Sequence, residues 1–307
     1  MTKPTIINPS MTPASALMLL ILATLWGGSF FLIEIALTSL TPLTIVLWRV
    51  GLAVPILLLV LRLQGLRLPS GGRVWGCYLV MGILNNALPF SLIVWGQTQI
   101  EGGLAAILNS TTAFFGAVVA GLLLADEPLH PSKVVGALMG LAGVAVIMGP
   151  ELLGGLDLRN LAQLAVLGAA FSYALASVWG RVTLAGHPPQ VNSAGMLICS
   201  SLLIIPIALM VDGVPQLDLP YQVWLALLGL SILSTVVGYL LYFSILERAG
   251  AANLLLVTLM VPPFSVALGV AFLDERLSAG AFAGFALIGL GLVVTDGRLH
   301  RRLFGQA

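Results

Sequence analysis

The second half of the chain repeats the first. Asp126-Glu127-Pro128-Leu129 returns as Asp274-Glu275-Arg276-Leu277, each time after a long apolar run and before a Gly-rich one. Self-similarity at half the chain length means one structural unit used twice. Each unit holds five apolar runs, and an odd number of crossings forces the second copy into the bilayer from the opposite side. The expected fold is all-α and membrane-integral: ten transmembrane helices as two inverted five-helix repeats, residues 1–150 and 151–307, with short loops.

Composition agrees with a lipid environment. Hydrophobic residues make up 59% of the 307 and charged residues 8%, where a soluble domain would carry about 25% charged residues. Mean hydropathy is +1.08. A net charge of +1 with no basic tract beyond a short tail argues against a nucleic-acid partner. Cys77 and Cys199 both fall inside apolar runs, where they act as small hydrophobes, so neither a disulfide nor a metal site is expected. The first apolar run is too long for a cleaved signal peptide and reads as a retained span.

A hydrocarbon core about 30 Å thick needs roughly 20 apolar residues per helix. Ten runs meet that need: 14–37, 42–62, 73–96, 102–124 and 131–149, then 159–181, 190–211, 220–246, 251–273 and 278–296. With both termini cytoplasmic, the inner side collects Lys3, Arg62, Arg67, Arg73, Lys133, Arg181, Arg248, Arg298, Arg301 and Arg302. The outer side keeps only Arg159 and Arg276, and Arg49 lies within the second span. Basic residues accumulate on the cytoplasmic side of membrane proteins, so this asymmetry sets the expected orientation.

Trp26-Gly27-Gly28-Ser29-Phe30, the spacing from Pro42 to Arg49, the two acidic turns and the Gly-rich spans that follow them together resemble the ten-helix branch of the drug/metabolite transporter superfamily, the EamA-type permeases. The resemblance covers essentially the whole chain, through the order of short motifs rather than any one of them. It implies a secondary transporter in the plasma (bacterial inner) membrane that exports amino acids or other small metabolites by alternating access. Phe171, Ser172 and Tyr173 stand where Trp26-Gly27-Gly28 would repeat, and the seventh span has no Arg, so a site built from both halves would be asymmetric.

Inverted-repeat carriers bind near the midplane, where stray polar groups line a cavity. Trp26, Asn85, Asn86, Asn109, Ser110, Thr111, Thr112, Ser172, Tyr173, Ser234, Thr235 and Pro262 all count to mid-span and are the candidate cavity lining. The competing reading is that each hydroxyl bonds its own or a neighbouring helix. Pro55 and Pro206, in matching spans 2 and 7, are hinge candidates with Pro89 and Pro263, although simple packing accounts for a proline kink as well. Trp95, Trp179, Tyr239, Tyr242 and Phe243 lie nearer span ends, where interfacial anchoring and cavity lining compete. Glu34 and Arg49 are expected to meet as a charge pair or gate near the outer end of the first hairpin, with substrate contact or a proton-linked Glu34 as alternatives.

Gly136 with Gly140, and Gly280 with Gly284, form small-residue ridges suited to close helix packing or to a homodimer. The acidic turns read as loop caps or as latches between repeats. All three histidines fall outside the spans, and Glu34 is the one membrane acid. A nucleophile with its base or a set of metal ligands is therefore missing from the membrane region, and no cofactor is implied. A phosphorylated substrate would recruit several basic residues, where only Arg49 is available, so a neutral zwitterion or an apolar compound fits better. Amino-acid export leads, ahead of export of drugs or other apolar metabolites and of a purely structural membrane protein.

Overall fold

The computed structural model describes residues 12–124, 131–148, 157–249, 251–254 and 256–296. The first acidic turn, Asp126-Glu127-Pro128-Leu129, and both termini lie outside these residues. The described chain is helical. Eight helices are long and apolar enough to cross a membrane: α1 (Pro13–Leu37), α2 (Pro42–Leu63), α3 (Gly72–Gly96), α4 (Gly102–Leu123), α5 (Pro131–Met148), α6 (Leu158–Thr183), α7 (Pro189–Val211) and α8 (Tyr221–Ala249). Two shorter apolar helices follow: α9 (Val257–Phe272), preceded by the turn Ala251–Leu254, and α10 (Ala279–Asp296). The ninth run is thus not one unbroken helix, and α4 is also interrupted, between Asn109 and Thr112.

Helix starts follow local chemistry. Pro at the first turn of α1 and α2 presets the helical φ where no donor is needed. The Thr12 hydroxyl caps α1 by accepting the Ser15 N–H at 3.2 Å, and Asp157 does the same for Asn160 on α6 at 2.7 Å. Elsewhere caps come from the other half of the chain. Asp212, after α7, accepts the Thr44 N–H of α2 at 2.9 Å and the Thr44 hydroxyl at 3.1 Å, and also binds the Thr41 hydroxyl.

Helix contacts come in exchanged pairs. Helix α1 packs on α9 and α8, while α6 packs on α4 and α3; α2 meets α7 and α8, while α7 meets α2 and α3; α5 packs along α10. Three pairings join equivalent helices of the two units, α2 with α7, α4 with α9 and α5 with α10, and each runs antiparallel. The start of α2 meets the end of α7 through Asp212. The start of α4 meets the turn after α9 through Glu275. Along α5 and α10, Gly136 faces Gly291 while Gly143 faces Gly284.

In this last pair a Cβ on Gly143 would come within 2.7 Å of the Gly284 carbonyl oxygen, so only glycine allows the approach. These ridges are consumed inside one chain, which removes them as a surface for a second copy. Outward faces stay apolar, with Leu17, Leu59, Leu122, Leu202 and Phe282 exposed as lipid contact requires.

Candidate functional site

Helices α3 and α8, third in their respective units, each depart from regular α geometry at mid-span. Residues Ile83–Ala87 and Gly229–Val237 form π-helical turns. A π turn widens the backbone and releases carbonyls from the regular ladder, and such turns concentrate at functional sites. In α3 the cause is local. Pro89 has no N–H and its ring would press on the carbonyl one turn back, and the wider turn relieves both. Pro89 thus ends the π segment, whereas Pro55 and Pro206 sit inside helices that run through, as do Pro262 and Pro263 in α9.

These turns carry Asn85 and Asn86 on one side and Ser234 and Thr235 on the other. Each is bound by the first helix of the opposite unit. Trp26 Nε1 on α1 donates to the Ser234 carbonyl at 3.0 Å, and Ser172 Oγ on α6 donates to the Leu84 carbonyl at 2.7 Å. Gly238 makes the first contact feasible, since a Cβ there would lie 2.6 Å from Trp26 Nε1. Tyr239 links the two turns: its hydroxyl donates to Asn86 Oδ1 at 2.6 Å and accepts from Asn85 Nδ2 at 3.0 Å.

Arg49 enters this group from α2. Its Nε donates to Thr235 Oγ1 at 3.2 Å, and its guanidinium carbon sits 3.8 Å above the Phe90 ring. Tyr173 and Tyr239 lie within electrostatic reach of it. Tyr242 packs on Trp26 with ring centroids 5.8 Å apart. The result is a polar cluster, closed on itself, built from α1, α2, α3, α6 and α8 and therefore from both units.

The sequence-derived candidates divide accordingly. Trp26, Asn85, Asn86, Ser172, Ser234, Thr235 and Arg49 are tied to the π turns, with Tyr173 beside them. Ser110, Thr111 and Thr112 instead donate to carbonyls three residues back, at 2.6–2.7 Å, and Asn109 Oδ1 is buried without a partner. Pro262 is buried on α9, beside the contact between Gly27 and Val261. Tyr239, left between anchoring and lining by its position in the sequence, is the centre of the network.

The expected pair of Glu34 and Arg49 does not form. Glu34 Oε1 accepts from Gln97 Nε2 at 2.8 Å, and the same amide donates to the Phe30 carbonyl at 2.9 Å. The two helices of this hairpin turn their polar faces to different neighbours. Helix α2 faces α7 and α8, while α1 turns Glu34 toward the end of α3.

Beyond Glu34 lies a second polar group at the helix ends. Glu275 Oε1 and Oε2 accept the N–H groups of Gly102 and Gly103, at 3.0 and 3.1 Å, and so cap α4 from the other unit. Burial pushes the Glu275 carboxyl above the usual carboxylate range and neighbouring Glu101 adds to the rise, while the two N–H groups pull it back. Glu101 pairs with Arg159 at 2.9 Å. A cavity of about 290 Å³ adjoins them, lined by Glu101, Arg159, Gln163 and Arg276 among others. It does not reach the midplane cluster.

An all-helical membrane chain with paired halves and a polar centre shared between them defines a multi-pass membrane transport protein. The chain belongs to the EamA-like transporter family, which matches residues 14–149 and again 160–295. It is 27% identical over 294 residues to an Escherichia coli (strain K12) protein named "Probable amino-acid metabolite efflux pump", covering 92% of this chain and 95% of the relative. It is 29% identical over 284 residues to "Uncharacterized transporter YvbV" of Bacillus subtilis (strain 168), covering 89% and 88%. A solved crystal structure shares the fold with a TM-score of 0.69 at 20% sequence identity, over 96% of this chain and 99% of the other. This membership indicates a transporter rather than an enzyme.

Proposed function

We propose that this protein exports small neutral or aromatic amino acids across the plasma membrane by alternating access, through the cluster between α3 and α8. Its ten helices form two inverted units, with both termini cytoplasmic. The observation that carries the reading is the pair of matched π turns, each bound by the first helix of the opposite unit. A site assembled in this way must change when one unit rocks against the other. The antiparallel pairing of equivalent helices supports the inversion, and Arg159 and Arg276 lining one cavity supports their place on a common face.

Trp26, Tyr242 and Tyr173 offer aromatic surface, while Asn85, Asn86 and Thr235 offer hydrogen bonds, a set that suits a zwitterion with an apolar body. The name of the E. coli relative points to the same substrate class. Purified protein in proteoliposomes is tested with a panel of labelled amino acids, with and without a pH gradient. Saturable movement of neutral or aromatic members, lost in Trp26→Ala, is the expected result. Movement of none of them refutes the substrate class.

A further inference from the structure

Arg49 is a guanidinium inside the membrane region with no counter-ion among the described residues. It is 7% exposed. Among the described residues its one hydrogen bond is from Nε to Thr235, and no carboxylate lies within salt-bridge distance of it. Its cationic face rests on Phe90. A guanidinium cannot shed its proton at any ordinary pH and has five N–H donors. A neutral hydroxyl and one ring are poor compensation for a buried charge, and such a charge is ordinarily paired.

The neighbours are also set for an anion. Asn86 Nδ2 is fully buried and has no acceptor, so a second donor stands unused in the same network. Glu34, on α1, is engaged by Gln97, and Glu247 is exposed in the last turn of α8. A carboxylate arriving at the cluster therefore meets unspent donors, whereas an ammonium meets a fixed positive charge.

We infer that Arg49 is the anchor for a substrate carboxylate, and that the site recognises a small monocarboxylic acid by its acid end rather than by its amino group. This rests on the proposed transport reading and narrows it. The terminal guanidinium nitrogens take the two carboxylate oxygens, Thr235 and Phe90 hold the guanidinium plane, and the Trp26–Tyr242 pair offers aromatic surface to the apolar body. A single cation limits the ligand to one negative charge, and the α-substituent is free to vary. Acids bearing an amino, hydroxyl or keto group next to the carboxylate should all bind.

The test compares L-phenylalanine, phenylpyruvate and L-phenylalaninamide as ligands of the full chain in detergent, by thermal shift and by competition against each other. The two acids are expected to bind about ten- to a hundredfold more tightly than the amide, as for loss of a hydrogen-bonded charge partner. Arg49→Gln should abolish that preference and Arg49→Lys should keep part of it. The comparison of acid with amide on the unaltered protein stands even if a variant fails to fold. Equal binding of acid and amide, a preference that survives in Arg49→Gln, or binding of neither acid overturns the inference. Vesicle transport separates the two claims. Acids that bind through Arg49 while no amino acid crosses would defeat the export reading alone, and transported amino acids with an amide competing equally would defeat this one alone.

Discussion

Replacing Glu275 by Ala removes the acceptor of two N–H groups that their own helix cannot satisfy. Gly102 and Gly103 open α4 and are buried, and their N–H groups point to Glu275 at 3.0 and 3.1 Å. Ser265 Oγ closes the same junction by donating to the Gly102 carbonyl at 3.2 Å. A hydrogen bond to a charged group contributes about 1.5–3 kcal/mol, and because Glu275 is only half-buried each belongs at or below the lower end. Together they come to about 2 kcal/mol, within the range for losing a helix cap. Glu275→Gln keeps one acceptor oxygen and should cost roughly half of that. Unfolding of purified protein in dodecyl maltoside, followed by thermal or denaturant titration, reads the difference, with Arg276→Ala on the exposed neighbour as control. A Glu275→Ala variant no less stable than that control would refute the cap between units.

The pH dependence at the same residue has a definite sign. Burial raises the Glu275 carboxyl, so the native state holds its proton better than the unfolded state; that contribution is full below the ordinary carboxylate value and is lost as pH rises through the raised one. A stability titration should show this fall in the wild type and lack it in Glu275→Gln. Tyr239→Phe should cost about 2–3 kcal/mol, because Asn85 and Asn86 lose the hydroxyl between them, and a loss no larger than that of Tyr221→Phe on the exposed rim would count against the network. Gly143→Ala pushes a methyl against the Gly284 carbonyl and should destabilise by about 1–3 kcal/mol, while Gly28→Ala, whose nearest new contact is Leu268 at 3.7 Å, should change little in the same unfolding assay.

Helix existence and the repeat were legible because they rest on run length and self-similarity, which lipid enforces directly. The glycine ridges were legible as packing, though not their partner, since a small-residue stripe is silent on what approaches it. The π turns were not legible. Their hydrogen-bond shift arises in α3 from Pro89 acting on the turn before it, and in α8 from a segment with no proline at all. Tyr239 was left open for a related reason: counted along a straight helix it lies toward an end, and its bonds to Asn85 and Asn86 on α3 depend on helix contacts that position along the chain does not give.

The pairing of Glu34 with Arg49 failed because adjacency in a hairpin fixes which helices are neighbours and leaves their rotation free. Arg49 faces Thr235 and Glu34 faces Gln97. Of the midplane candidates, the run from Asn109 to Thr112 satisfied its hydroxyls locally, the outcome that sequence could weigh but not decide.

The carboxylate-based ties between units gather at one set of helix ends. Asp212 holds the start of α2, Glu275 holds the start of α4, and Arg159 reaches Glu101 from the start of α6. Through the chain order these ends share the face that carries Arg159 and Arg276. A passage open to that face requires the units to part there, so at least one cap must release its N–H groups to water. Water can accept such groups at a helix end but not at mid-span, which gives a physical reason for placing charged latches at the rim while the centre relies on Tyr239 and Trp26. Releasing a latch of about 2 kcal/mol shifts the balance between closed and open forms roughly thirtyfold, within reach of a bound substrate. If this is the outer gate, Glu275→Gln should raise the rate of exchange of labelled substrate across vesicles while leaving the preference for acid over amide unchanged. A variant that alters that preference and leaves the rate untouched would place Glu275 in the binding site instead.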